Sequence, residues 1–144
     1  MKILIKSALL LLLVTALIGC GSDVSSFDLV QREGIYYKKF SEVPFTGKVT
    51  GFDKGLIKNG KREGEWIAKD QISSLFGGVS RSKGNYKNGK KEGVWIGYHK
   101  NGQLYSKGNY KNGKKEGEWV NYNNVGTLNK EISGIYKDGE KISD

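Results

Sequence analysis

Apolar and polar positions alternate through most of the chain after residue 33. Within Gln103–Lys111, Leu104, Gly108 and Tyr110 fall on one face of an extended segment, and Tyr105, Lys107, Asn109 and Lys111 on the other. In the segment that precedes them, Trp95 and Gly97 oppose Val94, Ile96 and Tyr98. A period of two marks strands with one buried face. Such strands are separated by Asn-Gly pairs at Asn59-Gly60, Asn88-Gly89 and Asn112-Gly113, with Asp138-Gly139 at a fourth matched place. Both residues of these pairs tolerate positive φ, as a two-residue type I′ hairpin turn requires. Asn101-Gly102 lies between hairpins and predicts a turn at the opposite end of the strands. Glycine every few residues argues against helix, at about 1 kcal/mol each.

These hairpins are one motif written several times. Gly84-Asn85-Tyr86-Lys87-Asn88-Gly89-Lys90-Lys91-Glu92-Gly93-Val94-Trp95 returns 24 residues later as Gly108-Asn109-Tyr110-Lys111-Asn112-Gly113-Lys114-Lys115-Glu116-Gly117-Glu118-Trp119. An earlier copy opens at Gly55 and ends at Trp66, and a truncated one runs from Gly134 to Lys141. The wider interval between the first two copies implies an insertion within Lys69 to Ser82. Successive two-strand units predict an all-β, elongated antiparallel meander that lengthens by about 10 Å per repeat. Equivalent residues then form ladders: Trp66, Trp95 and Trp119 in one, Ile57, Tyr86, Tyr110 and Tyr136 in another, Tyr98 and Tyr122 in a third.

The first 19 residues break this pattern. Lys2 and Lys6 precede an almost wholly apolar run from Ser7 to Ile18. A basic start and an apolar stretch of that length read as a helical secretory signal, too short for a spanning helix. Leu17-Ile18-Gly19-Cys20 resembles the lipobox of bacterial lipoproteins, with the single Cys of the chain at the required place. That resemblance implies cleavage before Cys20 and acylation of its thiol, palmitate included. The implied location is the bacterial cell envelope, at the outer membrane if the host is Gram-negative. The expected organisation is a signal peptide at 1–19, a flexible tether at 20–33, a leading β-hairpin at 34–54, and repeats at 55–144 comprising three full copies and one partial.

The run Lys-Asn-Gly-Lys-Lys-Glu-Gly-x-Trp-x-x-Tyr, the later Asn-Gly-x-Leu and the lead-in Pro44-Phe45-Thr46-Gly47-Lys48-Val49 resemble the bacterial variant of the MORN-repeat family. The resemblance spans about Gly34 to Lys141 and implies stacked MORN-type hairpins. It also implies two roles: a scaffold or binder of acidic phospholipids, and, by family naming, an antitoxin that binds and neutralises a partner toxin. The last copy lacks Trp and is expected to be a cap.

Composition narrows the chemistry. The 144 residues carry 24 Lys+Arg against 15 Asp+Glu, a net charge of +9. One Cys leaves no intrachain disulfide and no multi-Cys zinc site, and one His, His99, leaves no two-His metal motif. Glu63, Glu92 and Glu116 repeat at one position and read as charge balance rather than as a general acid and base, whose environments must differ. No catalytic residue, metal or cofactor is expected. The basic turns are the candidate binding feature: Lys58, Lys61 and Arg62; Lys87, Lys90 and Lys91; Lys111, Lys114 and Lys115. Stacked hairpins would set them along one sheet edge, a ridge about 10 Å in period. Such a ridge suits a protein partner, an anionic lipid or a glycan, beside its plain role in solubility. Export removes nucleic acid from the candidates. The charged middle of each turn is expected outside the core.

Overall fold

A computed structural model describes residues 23–69 and 80–144. The chain is all-β. One ten-stranded sheet runs β1 (Val24–Ser25), β4 (Gly47–Thr50), β5 (Lys54–Lys58), β6 (Lys61–Lys69), β7 (Arg81–Lys87), β8 (Lys90–Tyr98), β9 (Leu104–Lys111), β10 (Lys114–Asn121), β11 (Gly134–Lys137) and β12 (Glu140–Ser143). From β4 onward spatial order equals chain order, and every pair is antiparallel; only β1 joins β4 in parallel. The expected meander is therefore the observed fold. The expected signal peptide at 1–19, Cys20, and residues 70–79 of the span expected to hold the insertion lie outside the described residues.

The turns form for the reason the sequence gives. Asn88 has φ 51° and Gly89 φ 81°, and Asn59, Asn112 and Asp138 adopt the same left-handed conformation. A second device was not foreseen. Lys83 pairs with Ile96 and Asn85 with Glu92, so one step of two residues on β7 faces four on β8. The same mismatch recurs between β5 and β6 and between β9 and β10. Glycine supplies the positive φ in each bulge, as at Gly93 with φ 70°. The bulge re-aims the following Trp. Its indole lies flat against the glycine of the preceding strand: Trp66 on Gly55, Trp95 on Gly84, Trp119 on Gly108. A Cβ at any of the three would overlap the ring.

The lead-in departs from expectation. Residues 34–54 are not one hairpin. Ile35–Lys38 (β3) pairs backward with Leu29–Arg32 (β2) in a separate two-stranded sheet, and Gly47–Thr50 pairs forward with β5. The cause is a type I′-like turn at Glu33-Gly34, with φ 50° and 79°, which lacks the Asn-Gly spelling. The segment expected to be tether through residue 33 accordingly holds β1, a 3-10 turn at Ser26–Asp28, and β2.

The core follows the ladders on one face of the sheet. Val24, Phe45, Val49, Ile57 and Trp66 form one buried cluster, and Trp95, Trp119 and Tyr136 another, with Tyr86 packed against both. Trp66 is 1% exposed, and Trp95 and Trp119 are 3%. Val94 and Leu56, on the opposite face, are about half exposed, at 52% and 46%.

Candidate binding face

The two long ladders expected from the sequence interlock as one row. Trp66, Tyr86, Trp95, Tyr110, Trp119 and Tyr136 alternate edge-to-face, with centroids 6.0, 5.2, 6.1, 5.0 and 6.4 Å apart. This geometry opposes ring edges to ring faces and adds about 0.5–1.5 kcal/mol per pair beyond burial. Each indole N–H donates to a backbone carbonyl ten residues earlier: Trp66 to Leu56 O at 3.1 Å, Trp95 to Asn85 O at 3.1 Å, Trp119 to Asn109 O at 3.0 Å. Tyr98 and Tyr122 do not form a comparable pair. Among the described residues no ring contact links them, and Tyr98 instead lies under Lys83 Nζ at 6.0 Å.

The basic turns divide in two. Lys58, Lys61, Lys87, Lys90, Lys111 and Lys114 are exposed at the turn end of the sheet, as expected of a ridge. Arg62, Lys91 and Lys115 are not part of it. They fold over the aromatic row, which corrects the expectation that the whole charged middle stays outside the core. Arg62 Cζ lies 4.5 Å from the Trp66 centroid, Lys91 Nζ 4.2 Å from Trp95, and Lys115 Nζ 4.7 Å from Trp119 and 4.5 Å from Tyr136. The reason is register. Each is the residue paired across its hairpin with the ladder residue, Ile57, Tyr86 or Tyr110, and so points to the same face. The charged heads themselves sit over the rings as cation–π contacts. Lys91 and Lys115 thereby cover Trp95 and Trp119, while Leu29 and Tyr36 of the two-stranded sheet pack on the cluster around Trp66.

Their electrostatics differ. Arg62 has a counter-ion, Asp53, at 3.0 Å, and donates to Tyr86 Oη at 3.0 Å. Burial pulls the Arg62 pKa down, but Tyr86, Tyr36 and Asp53 together outweigh it and hold the guanidinium above its ordinary value. Lys91 is pushed down by burial first, then by Arg62 and Lys115. Lys115 is pushed down by burial. Among the described residues no carboxylate lies within 4.0 Å of either amine.

The repeated glutamates have a use beyond charge balance. Glu63 accepts from Asn88 N–H at 2.8 Å, Glu92 from Asn112 N–H at 2.8 Å, and Glu116 from Asp138 N–H at 3.1 Å. Beside each, the next turn's glycine N–H donates to the carbonyl of Arg62, Lys91 or Lys115, at 2.9, 2.9 and 3.0 Å. Every turn is thus tied to the one before it by two hydrogen bonds. The lead-in supplies the first such tie: Thr46 Oγ1 accepts from Asn59 N–H at 2.8 Å, and Phe45 O from Gly60 N–H at 2.7 Å.

Beside the aromatic row lies an open groove of about 870 Å³. Along it Ala68, Ser82, Gly97, Ser106 and Asn121 stand in direct cross-strand register, one residue on each of β6 to β10. At roughly 4.8 Å per strand that row is about 19 Å long. Lys69, Lys91 and Lys115 line the groove, and among the described residues no acidic side chain does. Tyr105 also lines it, contrary to the alternation expected from the sequence. A register shift between Gly97 and Tyr98 sets Tyr105 opposite no residue of β8, and its ring packs on His99 at 5.1 Å. His99 itself is buried at 3%, with Nε2 2.9 Å from Tyr122 O. Among the described residues no group of three His, Cys, Asp or Glu is arranged to hold a metal ion. The small floor residues were missed by sequence reasoning, although they hold matched places two residues from each Trp or its facing glycine.

No protein-family model matches the chain, and no curated protein matches it closely enough to count as a relative.

Proposed function

We propose that the protein is a non-enzymatic binding module, held at a bacterial envelope membrane through a lipid on Cys20, that receives its ligand on the aromatic face of the sheet. One observation carries the reading: a groove crossing five strands is bordered by three lysines and, among the described residues, by no acidic side chain. Surface cations with solubility as their sole role are normally interspersed with acids. Here the acids of the repeat are spent on backbone amides at the turns, and the two half-buried lysines face the groove without them. The export-like first 19 residues and the Cys that follows them support the anchor.

Photo-crosslinking tests the face. A photoreactive side chain at Ser106, in the groove, is compared with one at Val94, on the opposite face, in intact cells carrying the full chain. Adducts concentrated at Ser106 are expected. Equal adducts from both faces, or none from Ser106, refute the assignment.

A further inference from the structure

We infer that the groove ligand is a linear polyanionic glycan, lying across the strands with its acidic groups on Lys91 and Lys115; this rests on the binding-module reading above. Charge comes first. Among the described residues Lys91 and Lys115 meet no acidic side chain in the groove, so an anionic occupant supplies the counter-charge that Asp53 already gives Arg62. Repeat geometry comes second. Lys91 and Lys115 hold equivalent places two strands apart, so their bases are about 10 Å apart along the row. A chain with regularly recurring acidic groups matches that period and can meet both lysines at once.

The floor then separates a sugar chain from a peptide. The row from Ala68 to Asn121 runs perpendicular to the strands, whose backbone groups are already paired along the ladders. An extended peptide laid across them would gain no ladder bonds and would bury its own N–H and C=O groups unpaired. A helical peptide satisfies its own backbone but needs apolar pockets for its anchors. Trp95 and Trp119 offer none, being 3% exposed and covered by glycine on one side and lysine on the other, and the exposed apolar residues Phe52 and Ile132 stand on the open surface of the groove. What the groove does present is hydroxyl-bearing Ser82 and Ser106, lysine ammonium groups, and the rings of Phe52, Tyr105 and Tyr110, on which the apolar faces of sugar rings can stack. That surface matches a hydroxyl-rich chain carrying carboxylates.

The test uses the full chain in detergent micelles with hyaluronan, whose sugars alternate acidic and neutral, and with dextran, poly-glutamate and anionic phospholipid vesicles as comparisons. Binding is read by calorimetry at low and moderate salt. Hyaluronan is expected to bind and dextran not. The pair Lys91→Gln/Lys115→Gln is expected to weaken hyaluronan binding at least tenfold, whereas Lys90→Gln/Lys114→Gln on the exposed rim changes it less than twofold. Ser106→Tyr, which fills the floor without altering charge, should also abolish binding, and guards against a Lys91/Lys115 variant that merely misfolds. Equal losses from the rim and groove pairs would move binding to the rim and overturn the inference. Groove-dependent binding of poly-glutamate or vesicles in place of hyaluronan overturns the glycan and leaves the binding module standing. No binding to any probe by the intact chain overturns the inference, while the crosslinking comparison still judges the module on its own.

Discussion

Gly108→Ala is the sharpest test of how this sheet holds together. A Cβ at Gly108 would sit 2.5 Å from Trp119 Cγ and closer still to two other indole carbons, so the ring must move. The ring is confined by Tyr110 at 5.0 Å, Tyr136 at 6.4 Å and the Lys115 ammonium at 4.7 Å. Overpacking of this kind costs about 1–3 kcal/mol. Displacing the indole also strains its hydrogen bond to Asn109 O, a further loss of about 1 kcal/mol. Against this, alanine restricts the unfolded chain and returns about 0.5–1 kcal/mol. The net expectation is a loss of about 1.5–3 kcal/mol, or a fall of about 1 M in the urea midpoint at a slope near 2 kcal/mol/M. Tryptophan fluorescence during urea unfolding measures it. The decisive comparison is the same substitution in a Trp119→Leu background, where the clash is gone and alanine should be neutral or mildly stabilising. The coupling between the two sites should therefore reach about 2 kcal/mol. A neutral Gly108→Ala, or an equal loss in both backgrounds, would refute the claim that glycine is there to seat the ring.

Three further outcomes are expected. Glu92→Ala should free the Asn112 amide, speeding its hydrogen exchange while lowering global stability by about 1 kcal/mol; unchanged exchange would deny the turn-to-turn tie. Lys91 and Lys115 should titrate below the ordinary lysine value in carbon-13 spectra of the dimethylated protein. Because their folded pKa values are lowered, the unfolded chain binds more protons between the folded and unfolded values, so these two groups make stability rise with pH across that window; burial raises Tyr110 and acts oppositely once pH passes the free tyrosine value. Cells expressing the chain should incorporate labelled palmitate into it, and Cys20→Ala should abolish the label and release the protein from membranes; labelling that survives the substitution contradicts the anchor.

Much of the fold was legible because the repeat is spelled in residues with narrow conformational tolerance. Asn-Gly fixed the turns, alternation fixed the strands, and equal spacing fixed which residues share a row. Three things escaped. The bulge at Gly64, Gly93 and Gly117 was hidden because a glycine close after a turn reads as part of the turn, whereas its effect depends on how many residues the partner strand sets opposite. The Glu33-Gly34 turn carried no asparagine to announce it, so residues 34–54 were expected to form a hairpin of their own. Arg62, Lys91 and Lys115 were taken as rim residues on chemical type alone; their pairing across the hairpin with Ile57, Tyr86 and Tyr110 sends them inward, and that pairing was computable from the turn position. For the groove the signal was weaker still. Ser82, Ser106 and Asn121 are ordinary polar residues, and only the alignment of five strands makes them a continuous floor.

The ties between turns run one way. Each glutamate reaches forward to the following copy, and the chain's earliest copy leans on Phe45 and Thr46, which act as a starter that no later unit needs. Growth of such a molecule is directional: a unit of 24 residues inserted after any Trp would find its acceptors already waiting, whereas loss of Phe45 and Thr46 would unsettle the front while sparing the rear. Length is then adjustable in whole increments, and so is the reach of whatever the face holds.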